Sequence, residues 1–153
     1  MSVRPDIVAH SPGNQLVLAV EVKAIRGASP EWAAQMRRNL MAYPGIAASP
    51  YFLLALPDVF YLWKDAPSDQ TIAPEYSIDP YPVLSPYLDR SSVSLGEISA
   101  QGLEFLVTAW LRSLSSLGLP RESADPKLNW LFDSGLYEAI KGGSIQTDED
   151  AAA

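Results

Sequence analysis

The run Gln15 to Lys23, QLVLAVEVK, constrains this chain more than any other stretch. Side chains alternate between faces along a strand. Leu16, Leu18, Val20 and Val22 therefore share one face, and Val17, Ala19, Glu21 and Lys23 the other. A run this apolar suits a strand buried on both sides of a sheet, so an acid and a base at its end need a reason. Upstream, Pro5-Asp6 opens a second short apolar run, Ile7 to Ala9, and Ser11-Pro12-Gly13-Asn14 has the composition of a turn. A hairpin through that turn brings Asp6 back to the end of the second strand, where Glu21 and Lys23 lie. One alternative makes Glu21 and Lys23 the solvent face of an edge strand. Val17 and Ala19 on the same face argue against it.

Two carboxylates converging with an amine suit phosphodiester cleavage. Asp6 and Glu21 offer hard oxygen ligands of the kind Mg²⁺ or Mn²⁺ takes together with waters and a substrate phosphate. Lys23 beside them can orient a water or offset charge on the phosphate. The pattern Pro5-Asp6, fourteen residues, Glu21-x-Lys23 resembles the PD-(D/E)xK nuclease superfamily, with its restriction endonuclease-like fold. The likeness covers roughly the first 65 residues, and this part of the chain also looks like the N-terminal nuclease domains of type I restriction subunits.

The resemblance implies a mixed central α/β sheet flanked by helices. It also implies a Mg²⁺-dependent (or Mn²⁺-dependent) nuclease acting on DNA, with Asp6, Glu21 and Lys23 catalytic. The metal would be held by Asp6, Glu21 and the carbonyl of Val22. A helix bearing a glutamine after the ExK strand is similar to the RecB-like branch, where that glutamine faces the metal site. Gln35 matches by position, although Asn39 stands where that branch often has tyrosine, and an exposed helix residue is the competing reading. Arg37 and Arg38 are candidate phosphate contacts, or solvated surface arginines. His10 shares the parity of Asp6 and lies near the metal or near the turn. The superfamily core usually starts with a helix and a strand ahead of the Asp-bearing strand, and here only Met1 to Pro5 precede Asp6. The N-terminal core helix is thus missing or replaced, for instance by the long helix near Leu95 or through a homodimer. The alternative function is a non-catalytic module that keeps the nuclease fold to bind a protein partner or nucleic acid.

Length and charge set further bounds. The 153 residues, 48% of them hydrophobic, predict one domain over residues 1–142 with an acidic, disordered tail at 143–153. No stretch reaches the ~20 apolar residues of a membrane span. The absence of cysteine removes disulfides and thiolate metal sites. A cytoplasmic location is the default expectation. The net charge of −7 argues against a whole-surface nucleic-acid binder. The charge is uneven, however. Residues 1–64 carry six bases against four acids, whereas residues 65–153 carry five against fourteen. The half with the motif is the one that tolerates a polyanion.

The remaining elements follow from local signals. Ser29-Pro30-Glu31 predicts a helix start, with the helix running to about Ala42 and packing through Trp32, Met36, Leu40 and Tyr43. Tyr51 to Leu56 and Val59 to Lys64 are strand candidates around Pro57-Asp58. Asp65 to Arg90, rich in Pro and Tyr, reads as an ordered loop. Ser94-Leu-Gly-Glu97 reads as a capping box opening a long helix to about Ser116, whose broad apolar surface is either central or an interface. A short helix is expected at about Ser134 to Lys141.

Overall fold

A computed structural model describes residues 4–88 and 94–148. Its centre is a six-stranded mixed sheet. In chain order the strands are β1 (Ile7–His10), β2 (Leu16–Val22), β3 (Tyr51–Ala55), β4 (Phe60–Lys64), β5 (Tyr76–Ile78) and β6 (Ser144–Thr147). Across the sheet they run β5-β4-β3-β2-β1-β6. The expected hairpin forms: β1 and β2 are antiparallel with Ile7 opposite Val20 and Val8 opposite Ala19, and the register shifts between Ala9 and His10 at the turn end. β2 and β3 are parallel. The chain must therefore return along the sheet between them, and α1 (Pro30–Leu40) makes that return, followed by α2 (Pro44–Ala47). α1 begins as its residues dictate: Ser29 Oγ accepts from the Trp32 N–H at 3.1 Å, with Pro30 in the first turn.

The strands' alternation sorts two apolar layers. One face carries Ala19, Phe52, Leu54, Tyr61 and Trp63 and packs against Ala33 of α1, Met41 just past it and Ile46 of α2. Trp32, Met36 and Leu40 flank that contact half-buried, and Tyr43 is exposed. The other face carries Ile7, Ala9, Leu18, Val20, Leu53, Phe60 and Leu62. It is covered by α4 (Ala100–Leu117), which buries Leu103, Leu106, Val107, Trp110, Leu111 and Leu114. Each such side chain contributes roughly 1.5–3 kcal/mol on burial, so α4 is a central element of this layer. Phe105 and Leu117 are its exposed large apolar side chains. Val17, just past the register shift, packs with the α4 layer and not with Ala19. No helix among the described residues is long and apolar enough to cross a membrane.

Three expectations are corrected. The long helix does not start at Ser94. Ser94 to Glu97 forms a turn, with the Glu97 N–H bonded to the Ser94 C=O at 3.0 Å, and Ser99 is the cap, accepting from the Gly102 N–H at 3.0 Å. The stretch from Asp65 is not all loop. It includes β5 and α3 (Pro80–Leu84), because Asp79 caps the Tyr81 N–H at 3.0 Å and Pro80 suits a first turn. Asp89 and Arg90 lie outside the described residues. The tail is not disordered from residue 143: Ser144–Thr147 form β6, antiparallel to β1, and residues 149–153 lie outside the description. Two short helices, α5 (Asn129–Asp133) and α6 (Leu136–Ile140), precede it.

Candidate active site

The hairpin register brings Asp6 and Glu21 together. One step beyond the Ile7–Val20 pair, Asp6 stands opposite Glu21, and opposite residues on antiparallel strands share a face. That face is the α1 layer, since Ala19 and Glu21 have the same parity on β2. Asp6 Oδ2 accepts from the Val22 N–H at 2.7 Å, which ties the carboxylate to the end of β2. Lys23 Nζ lies 3.8 Å from Glu21 Oε2. Its own N–H donates to the Ala55 C=O at 3.2 Å, so the backbone at the ExK end is held by β3 as well.

The electrostatics follow from position. Glu21 is 5% exposed while the Lys23 side chain is 40% exposed. Burial, reinforced by the Asp6 charge, pushes the Glu21 carboxyl up to about 7, and Lys23 only partly opposes this. The cation loses that contest because it is separated by 3.8 Å and screened by water. Burial likewise raises the Asp6 carboxyl, against the Val22 N–H and Lys23, which lower it, and with Asp148, which raises it further. Two carboxylates that resist being charged together are the condition a divalent cation relieves.

The donor set suits Mg²⁺ or Mn²⁺. No three His, Asp or Glu side chains among the described residues converge as a closed protein cage, but Mg²⁺ is ordinarily held by one or two carboxylates with waters and phosphate. The Val22 carbonyl could serve as a third donor. In an extended strand a residue's N–H and C=O project to the same edge, and the Val22 N–H points to Asp6. Extending the register places Pro5 opposite Val22, and proline has no N–H to engage that carbonyl.

The other candidates fare differently. Gln35 is exposed, on the far side of α1 from buried Ala33 and Arg37, and its amide donates to Asn39 at 3.3 Å. The structure does not bring it to Asp6 and Glu21. Arg37 is a correction. It is 3% exposed, donates to the carbonyls of Ala66 (2.9 Å), Pro67 (3.2 Å) and Gln70 (3.5 Å), and lies 5.9 Å from the Trp63 ring centroid. A guanidinium used in this way fastens the loop after β4 and is buried out of reach of a phosphate. Arg38 is half-exposed on the same helix. His10 shares the Asp6 face but sits at the turn end of β1, away from Glu21. Asp148 is the neighbour that the motif does not contain; its N–H donates to the Asp6 C=O at 2.9 Å. Its signal in the sequence is Gly142-Gly143 followed by Ile145 and Thr147 in alternation, a short strand after a turn.

Comparison with known proteins returns no match to any family model, curated protein or solved structure.

Proposed function

We propose that this chain is a metal-dependent nuclease of restriction endonuclease-like architecture, hydrolysing DNA phosphodiester bonds at Asp6, Glu21 and Lys23. The observation that carries the reading is the meeting of these side chains at one end of one sheet face, with Asp6 bonded to the backbone between Glu21 and Lys23.

Asp6, Glu21 and the Val22 carbonyl would hold the ion. Bound there, Mg²⁺ supplies Lewis-acid polarisation of a phosphate oxygen and a more acidic water. Asp6 is held for its part by the Val22 N–H, which fixes its orientation before any ligand arrives. Glu21 would take part as its carboxylate. Lys23 has three donors on a half-exposed stem; it orients the attacking water and offsets negative charge at the phosphate. The less acidic half of the chain carries this site, which lowers the repulsion felt by a polyanionic substrate.

Lys23→Ala is expected to abolish plasmid cleavage while leaving the melting temperature close to wild type, because Lys23 is half-exposed and outside the core. Unchanged cutting by that variant across Mg²⁺, Mn²⁺ and Co²⁺ would overturn the assignment.

A further inference from the structure

Strand register assigns Asp148 a place beside the proposed site. β6 pairs with β1 so that Ile7 faces Thr147 and Val8 faces Gln146. One step on, the Asp148 N–H donates to the Asp6 C=O at 2.9 Å. Asp6 in turn faces Glu21 across β2. A single row perpendicular to the strands thus carries Asp148, Asp6 and Glu21, with neighbouring strands ~5 Å apart. Asp6 thus has an acidic residue on each side, Glu21 on β2 and the exposed Asp148 just past β6, and its Oδ2 is bonded to the Val22 N–H on the β2 side.

The start of β6 is held in place by specific contacts. The Gly142 N–H donates to the Ser115 C=O at 2.9 Å, and Ser115 Oγ donates to the Gly143 C=O at 2.7 Å. At Gly143 a Cβ would collide with the His10 carbonyl oxygen. The backbone therefore comes too close to β1 for any other residue, and the register that sets Asp148 against Asp6 is pinned.

We propose that Asp148 is a positioning residue for the Asp6–Glu21 pair, its charge holding the Asp6 carboxylate turned towards β2 and deepening the negative potential that draws a divalent cation there. The inference rests on the metal-dependent function proposed for the site. Asp148 acts through space and is not itself a ligand, since the three acids do not close on one point.

The test is Mn²⁺ binding by the full chain, followed by calorimetry at two ionic strengths. Asp148→Asn keeps the volume and the backbone hydrogen bond. It is expected to weaken Mn²⁺ about fivefold at ~0.01 M salt, where charges act over ~30 Å, and less than twofold at ~1 M, where they act over ~3 Å. Asp148→Glu is expected to restore the affinity. Equal binding by wild type and Asp148→Asn at low salt overturns the inference, as does a deficit that salt leaves unchanged, which marks a packing role. In both cases loss of binding in Asp6→Asn leaves the metal site standing. A wild type that binds no Mn²⁺ overturns both.

Discussion

At the scale of single residues, Glu21 has the most direct consequence. Its carboxyl holds a proton up to about 7 in the folded protein but only to about 4.5 when unfolded. Between those values the folded state binds more protons, so metal-free stability falls as pH rises through that window. After a discount for water reaching the carboxylate, the loss is about 2 kcal/mol. Glu21→Gln, neutral at every pH, is expected to remove that decline and to be the more stable protein at about pH 8 without metal. Denaturant unfolding at a series of pH values measures it; parallel curves for the two proteins would rule out the buried Glu21 carboxyl as the cause. The same proton must leave for an ion to bind, so Mn²⁺ affinity should climb as pH rises through about 7. Arg37 has a structural consequence instead. Arg37→Ala is expected to cost about 3 kcal/mol, because it strips three loop carbonyls of their donor and opens a void beside Trp63. A variant as stable as wild type with weaker DNA binding would show the phosphate role instead.

At the scale of elements, the start of α4 and the docking of β6 are the informative cases. Ser99→Ala should destabilise by about 1 kcal/mol, as loss of a cap does. Ser94→Ala should stay within about 0.5 kcal/mol, since its Oγ caps no helix. Denaturant midpoints separate them, and the reverse ranking would place the helix start at Ser94. Gly143→Ala tests the approach of β6 to β1. The added methyl meets backbone, not the tip of a flexible side chain, so β6 should detach. Hydrogen exchange should then quicken at the Asp148 amide, which donates to the Asp6 C=O, while the β3–β4 pair stays protected.

At the scale of the whole molecule, charge and layering set the behaviour. With a net charge of −7, the chain has little general attraction for DNA, and retention should depend on a divalent ion at the site. Gel-shift assays with the Lys23→Ala protein, expected to be cleavage-deficient, should show DNA retained with Ca²⁺ or Mg²⁺ and released by chelation if the proposed function holds. Equal retention under both conditions would point to a surface that is not the proposed one. The two apolar layers enclose the sheet: α4 covers one face and α1 part of the other, while β6 flanks β1.

The letters of the sequence were enough for the β1–β2 hairpin, which depends on neighbours along the chain. Alternation from Leu16 to Val22 specified a strand buried on two faces. The turn at Ser11 to Asn14 set the hairpin, and hairpin register placed Asp6 opposite Glu21 because the side-chain period of a strand is two. Tertiary structure decided what needed partners distant in sequence. Arg37 looks like a surface base until the loop after β4 closes over it. Ser94 looks like a cap until Ser99 outcompetes it. The acidic tail looks solvated until the glycine pair lets it run within reach of β1. In each case an isolated side chain has two acceptable environments of similar free energy, and only the packing of the remaining chain removes one of them.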